Sequence, residues 1–380
     1  MNQNFFQPTD LTRAAGLTRL AEVLPRLGLA YARDRNYVPA PGEFPFTSLL
    51  SPYLRHRLLT EQEVLVAVTA AHGPYAEKFA SEIYWRTYFK GHLEQHPAIW
   101  HAFRTGLSDA EEKLARIPGL GRLYAQAAAG ATGIDCFDAW CRELTETGWL
   151  HNHVRLWFAS IWIFSLGLPW QLGAEFFAHH LLDHDPASNT LGWRWVAGLH
   201  TRGKPYVARA ENIARYTAGR FNPTGLLDEA PCPVIEPEPP PAAALPTSDT
   251  WPRTACVLLL HEDDLAPESL VPDYVHIVRI AVLASPSVRA PRAAAARVTA
   301  LADAAARAEA AFDAPAALLP NVTDVAAWAE GAPIATPHAP VGAAADALAT
   351  MALHRIQRPW DQHHWPHCTR GFFQLRAKIS

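Results

Sequence analysis

Three polar clusters interrupt apolar, helix-period stretches in the first half of this 380-residue chain. In ASEIYWRTYF, Glu82, Trp85 and Arg86 stand at i, i+3 and i+4 and share one helix face. In GWLHNHVRLWFAS, His151 and Arg155 are four apart and Asn152 and Arg155 three apart, again on one face. In LLDHDPASNTLGWRWVAG, Asp183 and Asp185 are expected at a helix end, with Asn189, Trp193 and Trp195 in a loop-like stretch. Charged groups among apolar neighbours are costly to bury unless they meet partners. Arg155 with Asp183 would serve as a structural ion pair, and Trp-rich helices as ordinary core. Taken together, the clusters supply Arg, Asp, Asn and aromatic faces, which suit a pocket for a flat ring with polar edges.

The elements that must position these residues are mostly helices. Segments 11–28, 60–73, 74–95, 134–148 and 152–167 carry apolar residues at three-to-four spacing. Thr60 with Glu63 forms a capping-box signature that Gly73 closes. The helix ending EFFAHHLL is expected to stop near Asp183–Asp185, ahead of Pro186. Residues 231–246, PCPVIEPEPPPAAALP, hold too much proline for a helix or a central strand and read as a stiff, extended linker. Beyond it, TACVLLL and HIVRIAVLA suit buried strands, and PRAAAARVTALADAAARAEAAF and VGAAADALATMALHR suit helices. The expected organisation is an all-α domain over 1–230, a Pro-rich linker over 231–252 and a small α/β domain with a parallel sheet over 253–380.

The composition, 49% hydrophobic and 18% charged, excludes a disordered or fibrous chain, and a net charge of −4 excludes a globally basic nucleic-acid coat. Five Cys without CxxC spacing argue against a disulfide framework and for a reducing cytoplasm. The N-terminus lacks the pattern of a signal peptide, and no apolar run is long enough for a membrane span. Nine of the 13 Trp fall between Trp85 and Trp195.

Four segments in order resemble the photolyase/cryptochrome family. FPFTSLLSPYLR is similar to its TSxLSPYL segment, ASEIYWRTYF to ELxWRxFY, TGIDCFDAWCRELTETGWLHNHVR to TGxPxVDAxMRxLxxTGWMHNRxR, and LLDHDPASNTLGWRWVAG to LIDGDLASNNGGWQWVAG; GRFNPTG echoes a later FNP. The resemblance implies an all-α domain holding FAD. Tyr31, Thr47, Ser48, Leu50 and Ser51 would hold the phosphates and ribityl chain, where hydroxyls and N–H groups near a helix start suit a pyrophosphate. Phe79 and Arg86 would lie along the same cofactor. Asn152, Arg155, Asp183 and Asp185 would surround the isoalloxazine, with Asn189 facing the reactive flavin nitrogen. Glu82, Trp85, Asn152 and Trp195 match lesion-contacting positions, and Trp193 and Trp170 the first two members of an electron-hopping chain. The implied chemistry is light-driven electron donation from reduced FAD to a cyclobutane pyrimidine dimer in UV-damaged DNA.

The departures are specific. No N-terminal α/β antenna domain is expected, since the flavin-type motifs begin almost at once, and TACVLLLHEDDL, VRIAVLA and TRGFFQL resemble pieces of it moved to the C-terminal side; a separate α/β module explains them equally, so no antenna chromophore is expected. The outer Trp of the hopping chain has no match, with Tyr124 or Trp100 as conceivable substitutes. His153 replaces an Arg of HNRxR, and Arg209 lies one residue late for PYFR. Arg202, Lys204, Arg209, Arg215 and Arg220 form either a phosphate-binding strip or a solvated helix face. His363, His364, His367 and Cys368 lack a second ligand pair, so no metal is expected, and Cys136, Cys141 and Cys232 do not suffice for an iron–sulfur cluster. A cryptochrome-like photoreceptor and a flavoenzyme acting on a small molecule are the alternatives. Oligomeric state is not legible.

Overall fold

The structure, a computed structural model, describes residues 10–40, 42–287, 289–369 and 371–379. Residues 1–9, most of the N-terminal stretch that lacks a signal-peptide pattern, lie outside them, as does Arg370 of TRGFFQL. By compactness the chain forms two units that do not follow chain order: one contains Ala30–Thr47 and Ala98–Pro241, the other Phe6–Leu29, Ser48–Pro97 and Ala242–Ser380. The expected division at 231–252 follows a different line, because the helices of 48–97 find their partners in the C-terminal part of the chain.

The first unit is helical. It contains helices Pro118–Ala128, Asp135–Thr147, Asn152–Ser160, Trp170–His180, Pro186–Val196 and Ala210–Tyr216, together with nearly all of Pro97–Arg116. Aromatic rings fill its core: Phe137 stacks on Phe158 at 4.3 Å and Trp140 on Trp157 at 5.5 Å between centroids. The Asp135–Thr147 helix ends at Gly148 in the left-handed region (φ 72), where a Cβ would stand 2.8 Å from Leu182. Asn152–Ser160 runs on into a π-helical turn, Ile161–Ser165. Two expectations are corrected. The helix before Asp183 ends at His180, and residues 186–196, read as loop-like, form a helix. Asp185 caps it by accepting from Ser188 N at 2.9 Å, and Pro186 pre-sets its first turn.

The second unit carries a five-stranded sheet: β1 Cys256–Leu260, β2 Ile277–Leu283, β3 Ala316–Leu319, β4 Ile334–Pro337 and β5 His354–Ile356. All neighbours are parallel, in the order β3-β2-β1-β4-β5. Helices Pro291–Phe312, Val322–Ala329 and Ala343–Leu348 make the crossovers that parallel strands require. The segment 341–355, read as one helix, is helical only over Ala343–Leu348; its end pairs with β4 because Ala335 to Pro337 offer a ladder to His354 to Ile356.

Helices Ser51–Arg55, Glu61–His72 and Glu77–Gln95 complete this unit. Thr60 and Glu63 form the expected capping box, and Arg13 donates to Glu63. The sequence His261-Glu262-Asp263-Asp264 follows β1 and meets Arg55, His56 and Arg57. Arg55 pairs with Asp263, His56 Nδ1 lies 2.6 Å from the Glu262 carbonyl, and Leu265 N donates to the His56 carbonyl at 2.9 Å. Arg57 contacts Glu61 at 3.2 Å, Asp264 at 3.2 Å and Asp361 at 2.6 Å. Arg358 contacts Asp264 at 2.5 Å, and Arg297 contacts Glu262 at 2.6 Å. All these side chains are buried. Burial alone would raise the Asp264 carboxyl, but Arg358 and Arg57 hold it well below the usual carboxylate range. Removing one member of such a buried network strands the others without counter-charge. Asp264→Ala is therefore expected to destabilise the protein by about 3–5 kcal/mol. Urea unfolding would measure this, with Asp264→Asn expected to retain part of the loss.

Candidate functional site

In the first unit, Arg155 Nη2 donates to both Asp183 oxygens at 3.0 and 2.9 Å, and its Nε donates to the Leu150 carbonyl at 3.0 Å. One guanidinium nitrogen thus bridges both carboxylate oxygens, while Nε ties the same guanidinium to the backbone. Asp183 and Asp185 are buried, and Asn152, at the start of its helix, is exposed. Asn189 donates through Nδ2 to the Ala174 carbonyl at 2.8 Å, so its carbonyl oxygen is the atom it has to offer a ring N–H. One turn later Trp193 is buried and packs against Gly173, where a Cβ would come within 2.2 Å of the ring. Trp170 begins the helix that carries both Gly173 and Ala174. Trp195 lies 5.3 Å from the Tyr206 ring, and Tyr31 is buried.

His151 caps the Asn152–Ser160 helix by accepting at Nδ1 from His153 N at 3.1 Å. That role needs a neutral imidazole, and burial pushes its pKa down to about 3.

In the second unit, Ser48 Oγ accepts from Leu50 N at 3.3 Å, and Leu49 between them adopts φ 57. Leu50 is buried and immediately precedes Ser51–Arg55, which has Pro52 in its first turn. On Glu77–Gln95, Phe79 is buried and Arg86 donates to the Arg55 carbonyl at 3.1 Å and lies 3.6 Å from Glu61. Glu82 stands on the same helix. The Trp85 ring lies flat on Phe372, 3.9 Å between centroids and 6° from parallel. Phe372 opens the C-terminal helix Phe372–Ile379, whose Arg376 pairs with Glu77 at 2.6 Å. The structure thus gathers Asn152, Arg155, Asp183, Asp185, Asn189, Trp170, Trp193, Trp195, Tyr31 and Thr47 in one unit, and Ser48, Leu50, Ser51, Phe79, Glu82, Trp85 and Arg86 in the other.

The remaining motifs take structural positions. His153 stacks on Trp157 at 4.2 Å. Arg202 pairs with Glu238 at 3.0 Å, and Arg220 donates to the Pro39 carbonyl at 2.7 Å. Arg215 lies over Tyr216, and Arg209 immediately precedes Ala210–Tyr216. Cys368 is buried beside Gly91, with its thiol pushed up to about 12 by burial, and His364 Nδ1 lies 2.7 Å from the Trp360 carbonyl. No group of metal-ligating side chains occurs among the described residues, and no described helix is long and apolar enough to cross a membrane.

Residues 79–235 match the family of the FAD binding domain of DNA photolyase. The deoxyribodipyrimidine photo-lyase of Thermus thermophilus is 33% identical over 203 residues, 53% of this chain and 45% of that protein. The enzyme of the same name from Streptomyces griseus is 34% identical over 164 residues, 42% of this chain and 34% of that protein. The chain therefore spans less than half the length of these relatives. Among solved structures, a bacterial class III photolyase from Agrobacterium tumefaciens aligns with a TM-score of 0.41 at 25% identity, over 55% of this chain and 43% of its own. The part of the chain over 79–235 is thus similar to the FAD binding domain of DNA photolyase, and FAD is the cofactor which that match supports.

The residues present fit that group. The Thr47 hydroxyl and the Trp193 indole N–H are buried and meet no hydrogen-bond partner among the described residues, so both have a donor to give a polar ligand. The Asn189 carbonyl adds an acceptor. One functional candidate escaped the sequence reading. Glu236, inside the Pro-rich stretch, accepts from Trp170 Nε1 at 2.7 Å and from Arg194 Nη1 at 2.8 Å. A lone Glu between prolines gives no periodic signal, and nothing in its spacing points to a residue 66 positions earlier.

Two outcomes follow. Gly173→Ala is expected to cost about 1–3 kcal/mol by overpacking and to shift the Trp193 emission. For His151, the unfolded chain binds the proton more readily between pH 6.5 and about 3, so the capped helix loses stability as pH falls through that window. His151→Asn, which accepts without titrating, should flatten the decline between pH 7 and pH 4 in urea midpoints.

Proposed function

We propose that the protein is a photolyase-like enzyme that uses FAD and light to split cyclobutane pyrimidine dimers in DNA. The observation that carries this reading is Asn189: its amide nitrogen is tied to Ala174, which commits its carbonyl oxygen to acceptance. An uncharged acceptor stabilises a reduced, protonated ring nitrogen without adding charge. When bound and reduced, FAD supplies the light-excited electron donor. The Arg155–Asp183 pair holds a carboxylate ready to accept from a ring N–H, and Asp185 fixes the start of the helix that carries Asn189. By the resemblance, Glu82 and Asn152 give polar contacts to the dimer while Trp85 and Trp195 give it aromatic walls. The names of the Thermus and Streptomyces relatives support the same substrate.

A cryptochrome-like signalling role is favoured by one observation, the stacking of Phe372 on Trp85, which occupies the face that a base would need. The experiment is a blue-light assay on the photoreduced holoprotein with an oligonucleotide carrying a thymine dimer. Repair is expected, and Glu82→Ala should lower it at least tenfold with the flavin spectrum intact. Phe372→Ala should tighten dimer binding several-fold. Intact flavin with no binding or repair in the parent or in Phe372→Ala would transfer the reading to photoreception.

A further inference from the structure

The hopping chain that the family resemblance assigns to Trp193 and Trp170 lacks its outer tryptophan, and the structure supplies something else at that end. Trp170 is 3% exposed, and its indole N–H points at a carboxylate from the Pro-rich stretch: Nε1 lies 2.7 Å from Glu236 Oε1. Glu236 is held in place from several sides. Gln171 Nε2 donates to the same oxygen at 3.2 Å, Arg194 Nη1 donates to the other at 2.8 Å, and Arg202 Nη2 donates to the Glu236 backbone carbonyl at 2.8 Å. Glu238, the neighbouring acid, is taken by Arg202 at 3.0 Å. Trp193 packs against Gly173, one turn after Trp170 on the same helix.

We propose that Glu236 is the internal proton acceptor of Trp170 and that this pair replaces the missing outer tryptophan as the end of the electron chain. The proposal rests on the FAD reading. Photoexcited oxidised flavin is the oxidant and gains one electron by way of Trp193. Trp170 loses that electron. The Nε1–H bond of its radical cation breaks, and the proton forms an O–H bond with Glu236 Oε1 along the existing hydrogen bond. A neutral Trp170 radical and a neutral carboxyl remain. Before the step, the carboxylate also offsets the Arg194 guanidinium, which stands 6.0 Å from the Trp170 ring and would otherwise oppose positive charge there. A charge-assisted bond of this length requires no rearrangement for the transfer. A radical that has lost its proton cannot simply take its electron back, so the charge separation outlives the one-electron step.

The test is transient absorption on the full-length, FAD-loaded protein with the flavin oxidised. Flavin content is read first from the ground-state spectrum. In the parent protein, the tryptophan radical should change from its cationic to its neutral spectrum at a rate that is independent of buffer concentration and at least twofold slower in D2O. Glu236→Gln should abolish the internal transfer and shorten the lifetime of the separated charges at least fivefold at unchanged flavin content. Trp170→Phe should remove the long-lived radical. Bound flavin with radical kinetics unchanged in Glu236→Gln, or a deprotonation rate in the parent that scales with buffer concentration, would overturn the role of Glu236 and leave the FAD reading standing. Absence of flavin from the parent would overturn both. Because the parent measurement needs no substitution, a poorly folding Glu236→Gln does not remove the test.

Discussion

The second unit is organised around a buried meeting of opposite charges. Arg55 and Arg57 come from the loop and short helix at 51–57, Glu262 to Asp264 from the end of β1, Arg297 from the helix after β2, and Arg358 and Asp361 from the C-terminal helices. None of these charges tolerates burial alone. Each is tolerated because segments distant in sequence arrive with the opposite sign. The same segment that carries Arg55 and Arg57 carries Ser48, Leu50 and Ser51 a few residues earlier. Whatever those residues hold is thus anchored on ion pairs made with the sheet. Arg86 joins the network through Glu61 and the Arg55 carbonyl, so a residue expected along the cofactor also serves the framework.

The first unit uses a different device. Its core is aromatic, and its polar groups are placed by helix ends. His151 and Asp185 cap the two helices that carry Asn152, Arg155 and Asn189, while Gly148 lets the chain turn tightly before the first of them. Rigid helix starts set the positions of an amide and a carboxylate more closely than a loop would. The Pro-rich stretch contributes as well: Val234 N donates to the Ala197 carbonyl at 3.0 Å, and Glu236 reaches Trp170 and Arg194. Extended backbone without internal hydrogen bonds is available to bind along a surface, which a composition-based reading as a linker does not anticipate.

The helices around the chemical residues were legible in the sequence because their apolar period is strong. The 60–73 segment was legible down to its cap, with Thr60 and Glu63 forming the capping box. The helix carrying Asn189, Trp193 and Trp195 was misread as a loop because Pro186 and Gly192 outweighed the Asp185–Ser188 cap. β1 and β2 announced themselves as buried aliphatic runs. β3, β4 and β5 did not: they are three or four residues long and Ala-, Pro- or His-containing, and only pairing with neighbours makes them strands. The family motifs located Arg155, Asp183 and Asn189 as residues, but not the Ala174 carbonyl that orients the Asn189 amide. Nor could they reveal Phe372 on Trp85, which depends on a helix near the far end of the chain.

The interleaving of the two units has a consequence for biosynthesis. Arg57 emerges from the ribosome well before its partner Asp361, which lies 304 positions downstream. Its other distant partner, Asp264, lies 207 positions away. Every residue of the helical unit between 98 and 241 is translated in that interval. That unit can close while the N-terminal helices still await the sheet. During this time Arg55 lacks the acids that permit its burial and Arg57 has only Glu61, so both must stay hydrated. Closing so long a loop late is the slow, topology-limited kind of step. The sequence therefore imposes a schedule in which the helical, aromatic-rich part is made first and the segment bearing Ser48 to Arg57 is locked down only once Asp361 has been translated.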